Sequence, residues 1–266
     1  MNSILIPVDF SPASENAMHY GAGLAQQLGA SVVLTHIYQV QVSMTDMPVM
    51  LFSVEELKKN TETSLQRCQA ELKQKFPELS VKTESRLGSI PDELNILAEE
   101  FNPLFIVLGS HNTKGIERIL FGSTSSSVIR HSHHPVLAVP ATKTNASIQN
   151  IVLAADLEEV PDSLSKKIID IVNLLQAKLH IVHVKVKDET KKPEKLLQKL
   201  EALNPTYESV ANKKVQAGLL QFVQSRNADL LIFLPHEHNL VERLFFKVHT
   251  EDILSATNIP VLAIKS

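Results

Sequence analysis

The apolar run FIVL ends in Gly109, Asn112 follows three residues later, and Gly122-Ser123 opens the hydroxyl-rich stretch Ser123-Thr124-Ser125-Ser126-Ser127. Backbone N–H groups at a glycine turn and at a helix start lack intrachain partners, and such donors hold phosphate oxygens. Glycine lets the backbone approach an anion closely and reaches positive φ without strain. Asn tolerates the left-handed region better than most residues, so position 112 can keep a glycine-like loop shape. The hydroxyls of Ser123, Thr124 and Ser125 add donors, and a helix opening there adds a positive dipole end. The chemistry on offer is capture of a phosphate group. Plainer roles stand beside it: turn glycines, and a polar helix start.

The pattern returns near the C-terminus as LIFLPHEHNLVERLFFKVHTEDILSATNIPVLAIK. There Pro235, His238 and Lys247 stand where Gly109, Asn112 and Gly122 stood, and Pro235 also removes a backbone donor. One phosphate site is expected, in the first half; the second half keeps the frame without the equipment.

Covalent chemistry has less support. The chain contains no G-x-x-x-x-G-K-[ST], no H-E-x-x-H and no G-x-S-x-G. Phosphoryl transfer needs a metal-holding carboxylate and a positioned nucleophile, and Asp9 is a single candidate. Slow hydrolysis of a bound phosphoanhydride, or self-phosphorylation on the Ser123–Ser127 hydroxyls, is the most these residues offer; no catalytic residue is assigned. His131, His133 and His134 cluster, and His236 and His238 form an HEH, but neither group supplies a tetrahedral ligand set, so no metal is assigned. His36, His180 and His183 lie in strand-like runs and read as structural. Cys68 has no evident activating base.

Positioning a phosphate loop takes strands and helices in alternation, and the chain supplies them twice. NSILIPVDF matches QNIVLAADL, which sets Asp9 against Asp156; ASVVLTHIY matches AKLHIVHVK; NPLFIVLG matches ADLLIFLP; HHPVLAVP matches NIPVLAIK. Strands are expected near 3–8, 31–38, 80–87, 104–109 and 135–140, then near 150–155, 178–186, 206–211, 229–234 and 260–265. Ser11-Pro12 reads as an N-cap with Pro at the first helical position. Ser53-Val-Glu-Glu56 reads as a capping box opening a long helix to about Phe76, and Pro91 opens another. Strand–helix alternation implies right-handed crossovers and a mainly parallel sheet with helices on both faces. The polar link Ala141–Asn150 sets a boundary near 145, giving domains 1–145 and 146–266. The Met-rich segment Gln41–Phe52 has no counterpart in the second half; it covers a ligand or pads an interface.

Composition narrows the partners. The chain has 266 residues, 44% hydrophobic and 21% charged, with a formal net charge of -3. No strong pull toward nucleic acid is expected, and the lack of Trp removes a common base-stacking platform. No apolar run reaches the roughly 18 to 20 residues of a membrane span. MNSILIPVDF lacks a basic n-region and reads as a first strand rather than a leader. One cysteine fits a reducing cytoplasm.

Together these residues resemble the universal stress protein family, in a tandem form, within the larger adenine-nucleotide α-hydrolase-like group. The family's signature is Gly, two residues, Gly, nine residues, Gly, then Ser or Thr; here the spacing is kept and Asn112 replaces the middle glycine. Pro7-Val8-Asp9, Thr35-His36-Ile37, Leu87–Leu94 and RHSHHPVLAV also match, and the resemblance covers nearly the whole chain. It implies two Rossmann-like domains, each a five-stranded parallel sheet in the order 3-2-1-4-5 with its ligand at the carboxyl ends of the strands. It implies ATP, with or without Mg²⁺, held by Pro7, Asp9, Ile37, Leu108, Gly109, Asn112, Gly122, Ser123, Thr124 and Ser125. Asp9 would lie near the adenine, Ile37 would offer backbone and apolar contact, and Gly109 and Asn112 would line the ribose and phosphate path. It also implies pairing of the last-strand edges, here within one chain as a pseudo-dimer, with a further homodimer open. Three functions remain in view: an ATP-binding stress-response sensor, a nucleotide-free scaffold for protein contacts, and a slow ATPase.

Overall fold

In the computed structural model, residues 2–39, 54–112, 119–120, 123–155, 159–186, 192–234 and 258–265 are described. Ser53, the Gln41–Phe52 segment, Gly122, Asp156, Pro235, His236, His238 and Lys247 lie outside them.

The first half runs β1 (Ser3–Pro7), α1 (Pro12–Gln27), β2 (Ser31–Tyr38), α2 (Val54–Lys75), β3 (Val81–Leu87), α3 (Ile90–Phe101), β4 (Phe105–Asn112), β5 (Ile119–Leu120), α4 (Ser123–His131) and β6 (Val136–Pro140). The second runs β7 (Asn150–Ala154), α5 (Asp162–Leu175), β8 (Lys178–Lys185), α6 (Glu194–Lys199), a 3-10 turn at Glu201–Leu203, β9 (Thr206–Ala211), α7 (Val215–Ser225), β10 (Leu230–Phe233) and β11 (Val261–Ala263).

Local signals place the main helices. Ser11 is the N-cap of α1: its hydroxyl accepts from the Ser14 amide at 3.3 Å, and Pro12 follows in the first turn. α3 stops at Asn102, whose left-handed backbone (φ 40) ends the helix.

The strands form one sheet in the order β3-β2-β1-β4-β6-β11-β10-β7-β8-β9, with β5 paired to β4 at its end. Apart from β5, which runs antiparallel to β4, neighbours within each half are parallel. The halves meet at β6 and β11, which run antiparallel in the register Ala138 to Val261, Leu137 to Leu262 and Val136 to Ala263. Leu137 and Leu262 hold equivalent places in the PVLA repeat, so a local two-fold passes between them. Pairing the two edges removes both from solvent. What the repeat presents as two sheets is physically one.

Each face carries a buried apolar cluster that runs through both halves. One joins Ile4, Ile6, Leu24 and Leu72 to Leu153, Ile168 and Leu234. The other joins Leu5, Leu94, Ile106 and Val128 to Val152, Leu219 and Phe233. Helices α1, α2 and α5 therefore cover one face, and α3, α4 and α7 the other.

The ladders also correct the internal alignment by one residue. Phe105 pairs with Ile4, and Leu230 pairs with Ile151, its counterpart. Counting forward, the equivalent of Gly109 is Leu234, not Pro235. The offset from Leu234 to Lys247 then equals that from Gly109 to Gly122.

Candidate functional site

A cleft of about 240 Å³ opens at the carboxyl ends of β1, β2 and β4. Six of the expected residues line it: Pro7, Asp9, Ile37, Leu108, Gly109 and Ser125. Val8, Ser11, Ala13, Ser14, His36, Ile90 and Leu94 complete the wall, and the sequence did not assign these to a site. Ile90 and Leu94 had a faint signal: both fall within the Leu87–Leu94 stretch that resembles the family.

The apolar side is Ile37, Ile90, Leu94 and Leu108, a wall suited to a flat heterocycle. The polar side is a closed circuit at the start of α1. Asp9 Oδ1 accepts from the Ser11 amide at 3.0 Å, and the Asp9 amide donates to Ser14 Oγ at 3.3 Å. Ser14 Oγ donates to the Ser11 carbonyl at 3.0 Å. One carboxylate oxygen of Asp9 thus holds the loop into α1, while the residue as a whole stays exposed. Phe10, next in line, sits at φ 62, a conformation that costs a non-glycine residue about 1–2 kcal/mol. Its ring packs on His36 with centroids 4.7 Å apart.

His36 Nδ1 lies 2.6 Å from the Val8 carbonyl, which can only accept, so that nitrogen carries the proton. In the second half His183 Nδ1 makes the same bond to the Ala155 carbonyl at 3.1 Å. The bond survives where the glycine pattern is lost. It belongs to the frame, although the His36 ring also borders the cleft.

Gly109 has a steric reason beyond any ligand. A Cβ there would lie 2.4 Å from the Ala13 carbonyl oxygen, 2.6 Å from its carbon and 3.0 Å from the Ser14 nitrogen. The first turn of α1 rests on the bare backbone of β4. Beyond Gly109 the chain is more ordered than a loop: β4 continues to Asn112, and β5 pairs back with it, His111 to Leu120 and Asn112 to Ile119. The backbone of Asn112 is thus in an antiparallel ladder. Ser123 and Thr124 form the first turn of α4, and Ser125 is 8% exposed with Oγ 3.4 Å from the Gly109 carbonyl. α4 has no acidic residue in its first turn and ends in Arg130 and His131, the polarity that favours an anion at its start.

Among the described residues no group of three His, Cys, Asp or Glu is placed to hold a metal. His131 Nδ1 donates to the Ser127 carbonyl at 2.8 Å, so it cannot also take a proton from the Ser127 hydroxyl. Cys68 is buried, and burial pushes its thiol above the ordinary value; Arg67 opposes this and Glu71 and Glu15 add to it.

His134 is held below its ordinary value, first by burial, with Lys167 and His133 adding to the effect and a hydrogen bond to the Pro103 backbone and Glu99 opposing it. The sign follows. Above pH 6.5 both states are neutral there. As pH falls below 6.5 the unfolded chain takes up the proton first, so stability is lost until pH passes below the folded value. His134→Gln should flatten the stability profile below pH 6.5; urea midpoints across that range check it, and a profile with unchanged slope counts against the assignment.

The fold and cleft define a Rossmann-like α/β protein whose site lies at the carboxyl ends of parallel strands. The model of the universal stress protein family matches residues 1–140. Universal stress protein G of Salmonella typhimurium is 32% identical over 145 residues, which cover 52% of this chain and 97% of that protein. A universal stress protein of Methanocaldococcus jannaschii is 34% identical over 147 residues, covering 53% and 82%. A crystal structure of a universal stress protein from Archaeoglobus fulgidus superposes with a TM-score of 0.74 at 18% identity, covering 99% of this chain and 98% of that one. The chain belongs to the universal stress protein family.

Among the described residues no helix is long and apolar enough to cross a membrane.

Proposed function

We propose that the first half holds an adenine nucleotide, ATP with or without Mg²⁺, and that the protein works as a nucleotide-binding stress-response sensor rather than a dedicated enzyme. One observation carries the reading: residues far apart in sequence, Pro7, Asp9, Ile37, Leu108, Gly109 and Ser125, converge on one cleft at the end of parallel strands. The apolar wall suits the base, and the start of α4 at Ser123, Thr124 and Ser125 suits the phosphates; by the family's signature Gly122 would join the phosphate donors, and Gly109 and Asn112 would line the ribose and phosphate path. On this reading residues 1–145 and 146–266 are two domains of five strands in the order 3-2-1-4-5, joined as an intrachain pseudo-dimer in the cytoplasm, with a homodimer open.

A second reading has its own support. Asp9, Ser11 and Ser14 bond to one another, and Gly109 is accounted for by packing against Ala13. A scaffold that binds no nucleotide would need the same contacts.

Freshly purified protein, denatured and chromatographed, should release ATP or ADP. Stripped protein should be stabilised by about 2.7 kcal/mol at ATP concentrations near 100 times Kd. Absence of both supports the scaffold; ADP accumulating with time supports the slow ATPase.

A further inference from the structure

Helix α4 has its N-terminal turn at the cleft, through Ser125, and its C-terminal end at the seam between the halves. The last carbonyls of a helix lack intrahelical donors and must find others. Here the Ser127 carbonyl accepts from the His131 ring at 2.8 Å, that of Val128 from the Ser132 amide at 2.8 Å, and that of His131 from Asn95 Nδ2 at 3.3 Å. The Arg130 carbonyl accepts from Lys265 Nζ. Lys265 follows β11, so this donor comes from the second half. Lys167, on α5, locks it in place: its Nζ donates to the Lys265 carbonyl at 2.8 Å and to the His133 carbonyl at 3.4 Å. Both lysines are half-buried. A cation at a helix C-terminus also complements the macrodipole whose positive end faces the cleft.

Val136 and Val261 are equivalent, so the first-half counterpart of Lys265 is Pro140, which has no side-chain donor to return. The half that lost the glycine pattern supports the half that kept it.

We propose that Lys265 and Lys167 are positioning residues for the phosphate-facing turn of α4, so that the second half sets the nucleotide affinity of the first. This rests on the nucleotide reading above. It assigns a task to the second half that needs no ligand of its own.

The test uses the full chain, ATP with Mg²⁺, and adenosine. In Lys265→Met/Lys167→Met, amides 126–132 should exchange about tenfold faster and ATP should bind about tenfold more weakly, in the usual range of coupling between sites. Adenosine affinity should hold, because α4 faces the phosphates. Lys265→Arg should restore most of the loss. Linkage is reciprocal, so in the wild type saturating ATP should slow exchange at residues 262–265; this arm needs no variant to fold. Wild-type binding with equal ATP affinity in the double variant overturns the coupling alone. So does equal loss for adenosine and ATP, or wild-type exchange at 262–265 that ignores bound ATP. A wild type that binds no ATP overturns the nucleotide reading and the coupling together.

Discussion

Gly109→Leu should lower stability by about 3 kcal/mol, the upper end of the usual overpacking cost, and should end nucleotide retention. The atoms that a side chain at 109 would meet are all main chain: the Ala13 oxygen at 2.4 Å, the Ala13 carbon at 2.6 Å and the Ser14 nitrogen at 3.0 Å. No rotamer change relieves that; the start of α1 must move. It is not free to do so. Ser11, Ser14 and Asp9 fix its first turn to the end of β1. Asn16 Nδ2 ties the next turn to the carbonyls of Pro140 at 2.9 Å and Lys143 at 3.1 Å. Moving the turn also displaces Ala13 and Ser14 from the cleft wall. Gly109→Ala should act in the same direction at about 1–3 kcal/mol. The check is the urea midpoint at constant m. An alanine variant with the wild-type midpoint would mean that α1 does not rest on β4 as described.

What the sequence discloses depends on the range of the interaction. Ser11-Pro12 announces the start of α1 because capping reaches only from Ser11 to Ser14. The apolar runs announce strands because burial on both faces selects β-branched and aliphatic residues along a short stretch. Gly109 stands out as a glycine, but its main contact is with residue 13, nearly a hundred positions away, and no local pattern reports that. The slip between Pro235 and Leu234 has the same origin. As strings, FIVLG and IFLP align on their final small or rigid residue; the ladder aligns them on the strand each pairs with. β5 leaves no sequence signal, because it is two residues long and exists by pairing with β4. His36 read as structural and is, through Val8, yet it also borders the cleft, since a strand-end residue can do both. Lys265 had no signal at all. A terminal lysine after an apolar strand looks like a solvated tail until the antiparallel seam brings it to α4.

The reciprocal substitution, Leu234→Ala, should cost about 2–5 kcal/mol, the range for a buried leucine truncated in a core, and should confer no nucleotide binding. Leu234 holds the place of Gly109 and is 5% exposed. In the first half that place is filled by the main chain of α1. In the second half the path from β7 to α5, residues 155–161, is three residues longer than the path from β1 to α1, residues 8–11. Leu234 belongs to the same buried cluster as Ala155, Val160 and Leu164. Truncation leaves an apolar void, because a close-packed interior relaxes only in part. The described members of the Leu234 cluster are apolar, and a triphosphate left without donors would lose its hydration uncompensated. The exchange under test is glycine beneath a helix at one strand end and leucine at the equivalent place in the other half. A Leu234→Ala protein that melts like the wild type would refute that exchange, and one that carries nucleotide in both halves would refute it more severely.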